Sequence, residues 1–124
     1  MKVKVSVMIL EIDENQSVPD FNVFLTEDNS IPSKFLTTKS VEQTVQEIYN
    51  EFTHLRIDYA NPILSDFRVV DLQAEVLYIA TVPKGISGPK RGRFVPHSSL
   101  ELKSFYERHI IERPRSLPQQ PPSR

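Results

Sequence analysis

Two carboxylates four residues apart, Glu47 and Glu51 in QEIYNE, are the first place where residue type and spacing could do chemistry. On a helix they share one face and can close on one hard cation. Asn50 beside them adds an amide, which offers a carbonyl oxygen or a hydrogen bond but no charge. The same pair also fits a solvated helix flank, and Glu42, on another side, reads as simply exposed.

A second cluster is basic. Lys84, Lys90, Arg91 and Arg93 share the segment KGISGPKRGR with all three glycines of the chain, Gly85, Gly88 and Gly92. Such a loop can meet phosphates electrostatically, although it lacks the spacing of a Walker loop, and a mobile, solvated connection fits the same residues. No aromatic interleaving supports RNA binding. His54, His97 and His109 are too scattered for a zinc set, and no H-x-x-x-H pair exists. His54 falls at a helix end, where a cation suits the dipole. Ser98 and Ser99 read as a helix N-cap, since no G-x-S-x-G surrounds them.

Composition removes several function classes. With no cysteine there is no thiol nucleophile, disulfide or thiolate metal site, and a reducing interior is the compatible setting. No apolar run approaches the roughly 18 residues of a membrane span, and MKVKVSVMILEID reads as a strand rather than a signal peptide. These features suggest a cytoplasmic protein. The 124 residues make one domain. The net charge of −1 hides an asymmetry: residues 1–83 carry 6 Lys/Arg against 13 Asp/Glu, whereas residues 84–124 carry 9 against 3. Such a chain can fold its basic part over its acidic part, or present it to an anionic partner.

The elements that must position these groups follow from periodicity. Val3, Val5, Val7 and Ile9 alternate with Lys2, Lys4, Ser6 and Met8, which predicts a long central first strand. Turn residues 13–20 lead into FNVFLT, a second strand consistent with a hairpin. Ile31 to Thr38 could be a short strand or a packed loop, because Pro32 breaks regularity. Ser40 with Gln43 has capping-box spacing, and Val41, Val45, Ile48 and Phe52 recur at helical spacing, so a helix should run to Thr53 or His54. Leu55 to Tyr59 looks extended. Strands are expected over 63–71 and 74–82, and Leu100, Leu102, Phe105, Tyr106 and Ile110 make an amphipathic pattern for a closing helix. Four prolines from Pro114 onward mark residues 112–124 as a flexible, polyproline-like tail. The order predicts an α+β fold, a mixed sheet between two helices.

Order and local text together resemble the Nudix family. There a strand pair leads into a box of the form G-x5-E-x7-R-E-U-x-E-E-x-G-U, with U bulky and apolar. The helix VEQTVQEIYNEFTHL stands in the place of the box helix, and Gln46 to Glu51 line up with R-E-U-x-E-E, keeping Glu47, Ile48 and Glu51. GRFVPHSSLELKSFYERHII is similar to the family's strand, W-V-P-x-x-x-L-like turn and closing helix, with Phe94 where an aromatic is common. The likeness covers about 110 residues in register, which makes residues 1–111 a Nudix-like domain, and implies a Nudix-like α/β/α sandwich. It also implies magnesium or manganese held by several carboxylates against a diphosphate, and it puts His97 on a loop near a nucleotide pocket, although an ordinary surface histidine fits that residue better. The box departs from its pattern at Pro32 and Thr53, where glycines belong, at Thr38 and Asn50, where glutamates belong, and at Gln46, where arginine belongs.

The resemblance with these departures implies a degenerate box, and a non-catalytic module that binds a nucleotide-like ligand or a protein. Glu47 and Glu51 are then remnant metal ligands, and Lys84, Lys90, Arg91 and Arg93 are phosphate contacts; no metal is required. A rival reading is an active magnesium- or manganese-dependent pyrophosphohydrolase that draws a third carboxylate from Glu27, Glu75 or Glu101. Another is a small subunit of a larger assembly. The R-x-x-P-x-x-P outline at Arg115 to Pro121 fits a ligand for polyproline-reading domains, though a featureless tail fits it better.

Overall fold

The structure, a computed structural model, describes residues 2–13, 21–85 and 88–98. The expected closing helix, the proline-rich tail, Glu101 and His109 lie outside the described residues. Six strands, β1 (Lys2–Ile12), β2 (Phe21–Leu25), β3 (Ser33–Phe35), β4 (Ile63–Val70), β5 (Gln73–Pro83) and β6 (Arg93–Pro96), form one sheet. One helix, α1 (Val41–Phe52), is found among the described residues. The sheet is mixed. β1 lies at its centre, parallel to β5 from Lys2↔Gln73 to Ile12↔Pro83. The strand order is β4-β5-β1-β2-β6, with β3 on β1 beside that path.

Alternation in β1 sends Val5, Val7 and Ile9 to one face, where they pack with Phe24, Val45, Ile48, Tyr49 and Phe52. On the other face Met8 packs with Val23, Leu25, Ile31 and Val95. The sheet therefore has a core on both sides, as a layered α+β domain requires.

The capping box forms as expected. Ser40 Oγ accepts from the Gln43 amide at 3.1 Å, and Gln43 Oε1 accepts from the Ser40 amide at 2.9 Å. Thr53 ends the helix in an extended conformation at φ −139°, so this position needs no glycine. Its hydroxyl donates to the Tyr49 carbonyl at 2.8 Å and accepts from the Leu55 amide at 3.0 Å.

Residues 55–59 differ from expectation: they form a turn rather than a strand. The amides of Tyr59 and Ala60 both donate to the Arg56 carbonyl. Gln46 is the reason, because its side chain accepts from the Ile57 amide at 2.8 Å and donates to the Leu55 carbonyl at 3.3 Å. Those backbone groups are satisfied by the helix side chain instead of by a neighbouring strand.

The feature that positions the site is a split beside β1. One edge of β1 is shared by two antiparallel partners, β2 against Leu10–Ile12 and β3 against Lys4–Ser6. Between them the Val7 amide donates to the Pro32 carbonyl at 3.1 Å. The segment from Thr26 to Ile31 bridges the gap, turning at Asn29 with φ 63°.

Candidate functional site

A cleft of about 710 Å³ opens at this split. Its walls come from Lys4 and Ser6 of β1, the bridging segment from Thr26 to Ser33, Asp66 and Arg68 of β4, Glu75 and Leu77 of β5, and Phe52 and Arg91 at the α1 end. The cleft reaches the β1 face that carries Lys4 and Ser6, because these stand in register with Glu75 and Leu77. Its size falls within the several hundred Å³ typical of small-molecule sites.

Charges of both signs line it. At the β4 end, Arg68 Nη2 lies 2.9 Å from Glu75 Oε1. Burial pushes the Glu75 carboxyl up, but the Arg68 hydrogen bond and charge, helped by Lys4 and Gln73, outweigh it and leave the group below its ordinary value. Thr26 and Ser30 bond to Asp28 and hold its carboxyl below the usual range. At the α1 end Arg91 bridges two acids, Glu27 at 3.3 Å and Glu51 at 2.9 Å.

Glu51 is held from a second side by Lys34 Nζ at 3.0 Å. The Lys34 hydrogen bond, with the Lys34 and Arg91 charges, lowers its pKa. Glu47 does not join it but pairs with Lys39. Asn50 does not either, since its Oδ1 accepts from Gln46 Nε2 at 2.8 Å. Among the described residues no three His, Cys, Asp or Glu side chains converge as a metal-holding group.

The basic loop folds onto the acidic part. Lys90 and Arg91 donate their backbone amides to the Phe52 carbonyl at 2.8 and 3.3 Å, and Lys90 Nζ donates to the Asn50 carbonyl at 2.8 Å. These bonds satisfy carbonyls that the helix leaves open at its C-terminal end, where positive charge is favoured. The Arg91 guanidinium also lies 5.2 Å from the centre of the Phe52 ring. Gly92, at φ +86°, must be glycine, because a Cβ there would come within 2.3 Å of the Leu25 carbonyl. The described end of the loop is thus fastened to the helix, where the sequence suggested a mobile connection. Lys84 pairs with Asp13 at 3.8 Å, and Arg93 bonds to Asn29.

Of the histidines, His54 is exposed. His97 stacks on Phe21 with ring centres 4.3 Å apart, and its Nδ1 lies 3.2 Å from the Phe21 carbonyl. It does not line the cleft.

No protein-family model matches the sequence, and no curated protein matches it either. Solved structures do match the shape. A mutT/nudix family protein from Listeria innocua superposes with a TM-score of 0.61 at 12% identity, covering 92% of this chain and 95% of that one. The NUDIX domain of Shewanella oneidensis NrtR, crystallised with ADP ribose, gives 0.60 at 17% identity and covers 92% and 86%. The fold is that of a Nudix domain. The C-terminal domain of mouse MUTYH, solved in complex with human PCNA, also shares it, with a TM-score of 0.56 at 11% identity over 98% and 94% of the two chains.

The positions aligned to the Nudix box are occupied as follows. Gln46, at the arginine position, holds residues 55–57. Thr53, at a glycine position, caps the helix through its hydroxyl. Pro32 is buried against β1, and Thr38 is exposed.

A divalent ion does not fit the groups as they stand. Magnesium prefers oxygen ligands in near-octahedral array. Here Glu51 already faces two cations, Lys34 and Arg91, and a divalent ion beside it would meet the repulsion of both.

The sequence singled out Glu27, Glu51, Glu75 and Arg91, and the fold gathers Glu27, Glu75 and Arg91 on the cleft with Glu51 bonded to Arg91 behind it. Lys34, Lys4, Asp66 and Arg68 were missed. The signal that could have found Lys34 is weak: a lysine beside Phe35 in a three-residue strand, whose neighbour depends on register with β1.

Proposed function

We propose that this Nudix-fold chain is a non-catalytic binding module, and that its ligand is a nucleotide-like molecule carrying a diphosphate, held in the cleft at the split of β1. The observation that carries this reading is the double grip on Glu51, by Lys34 at 3.0 Å and Arg91 at 2.9 Å. Two of the chain's own cations stand where a hydrolase needs a metal, so the box is degenerate in its chemistry as well as its text. Binding of this kind needs no metal cofactor.

Arg91 is the contact we assign to phosphate, because it alone of the basic loop lines the cleft. Lys4 and Arg68 add positive charge to the same walls. Lys90 and Arg93 flank Arg91 and strengthen the local field, while Lys84 sits with Asp13. The ADP ribose bound by the NrtR domain supports this ligand class for a cleft of the same fold.

The test is a panel of nucleotide sugars, dinucleoside polyphosphates, ADP-ribose and nucleoside triphosphates with magnesium or manganese. The expected result is no metal-dependent turnover, with calorimetric binding of at least one diphosphate that survives EDTA and weakens about tenfold in Arg91→Ala, the loss of one charge-assisted contact. Metal-dependent turnover abolished in both Glu47→Gln and Glu51→Gln would overturn the reading and make the box a working variant. Lys34→Met offers a further check, because removing one gripping cation should raise manganese affinity at Glu51.

A further inference from the structure

We propose that β4 joins two copies of this chain, by antiparallel pairing of the two β4 edges about a two-fold axis at Phe67. Of the eight large apolar side chains exposed on described residues, six belong to β4 and the turn after it: Ile63, Leu64, Phe67, Val69, Val70 and Leu72. β4 ends the sheet and pairs only with β5 among the described strands. An edge strand of eight residues, five of them exposed apolar side chains, is a template for another strand. The opposite edge is blunted: β6 has four residues, begins with Arg93 and ends with Pro96, which has no amide to donate.

Charge selects a second copy as the occupant. Asp66 and Arg68 stand opposite Leu77 and Glu75 of β5, on the cleft face, while Phe67 stands opposite Val76 on the α1 face. Faces are preserved when two such edges pair about a two-fold axis perpendicular to the sheet, so the axis must pass through a residue. An axis through Asp66 or Arg68 opposes like charges. An axis through Phe67 sets Asp66 of each copy opposite Arg68 of the other and brings the two phenyl rings together. Across the joined sheet the row then runs Glu75, Arg68, Asp66 of the second copy, alternating in sign. Each Arg68 keeps its Glu75 partner and gains another carboxylate. The register shift between Leu64 and Asp66 lies beyond these three central pairs and leaves them regular. Residues 112–124 make a poorer partner, because four prolines interrupt their donors.

The absence of cysteine makes the register directly measurable. In sedimentation of the full chain at up to about 100 μM, a range that reaches modest interfaces, the expected species is a dimer. Phe67→Lys should return it to monomer and melt where the wild-type chain melts once diluted to monomer, since the side chain is 59% exposed in the single chain and only the dimer's concentration-dependent stabilisation is lost. Under mild oxidation Phe67→Cys should link into a covalent dimer. Ile63→Cys and Val70→Cys should not, because their own copies lie roughly 20 Å or more apart in this register. A wild-type chain that stays monomeric throughout would overturn the proposal. So would a dimer indifferent to Phe67→Lys, or equal linking at all three positions.

Discussion

The two sides of α1 divide labour in a way that separates the fold from the chemistry of this domain. The apolar side, Val45, Ile48, Tyr49 and Phe52, is buried against β1 and Phe24. The polar side, Gln46, Glu47, Asn50 and Glu51, is where the Nudix box would place its metal, and each of these side chains bonds to another part of the chain. Gln46 holds the 55–57 turn, Asn50 bonds Gln46, Glu47 pairs with Lys39, and Glu51 with Lys34 and Arg91. Apolar packing is enough to seat a helix in the box position. The other face makes its bonds to segments outside the helix, β3, the loop before β6 and the 55–57 turn among them.

The comparison breaks first where packing is lost. Ile48→Ala should destabilise by about 2–5 kcal/mol, because the side chain is fully buried and its removal leaves a cavity; a urea midpoint close to wild type would show that the apolar side does not seat the helix. Tyr49→Phe comes next, at roughly 1–3 kcal/mol. It removes the 2.6 Å bond from the phenol to the Ala60 carbonyl and leaves that buried acceptor unmet. The same burial pushes the Tyr49 phenol above its ordinary value, so no loss of stability from its ionisation is expected below about pH 10.

On the polar side the effects should be smaller and local. Gln46→Ala removes two bonds to the 55–57 backbone and should cost about 1 kcal/mol. Hydrogen exchange at the Ile57 amide should accelerate while β1 amides keep their protection, and uniform acceleration along the chain would count against a local role. The smallest effect is that of Glu51. Its folded pKa is depressed, chiefly by Lys34, so its stabilising contribution is fully present above its ordinary value of 4.5 and fades as pH falls through the lowered folded value. Exposed pairs of this kind contribute roughly 0–1 kcal/mol. Melting curves of wild type and Glu51→Gln should therefore differ near pH 6 and converge as pH falls through the lowered value, and a gap that widened in acid would contradict the assignment.

Much of the framework was legible because its signals are local. The alternation of Val3, Val5, Val7 and Ile9 marks a two-sided central strand, and Ser40 with Gln43 marks where α1 begins; both are readable within a few residues. The turn at 55–59 was misread as extended because its backbone partner is a side chain on the preceding helix, a contact that periodicity does not register. Thr53, where the box pattern has a glycine, is accommodated for a similar reason: the chain leaves the helix through an extended conformation and uses the hydroxyl as its cap.

The candidate site was legible in its parts and not in its assembly. Glu47 and Glu51 share a helix face by sequence alone, yet they go to different cations because Lys39 precedes the helix while Lys34 is carried in by β3. Arg91 reaches Glu51 from 40 residues away and Glu27 from 64, through a loop whose amides close the end of α1. Local periodicity and capping let the sequence determine the strands, the helix and the charge asymmetry of its two parts. Which charge meets which, and therefore whether a carboxylate is open to a metal or already neutralised, was decided only by tertiary structure, because ion pairing depends on distances of a few ångströms between segments that strand register and loop docking bring together.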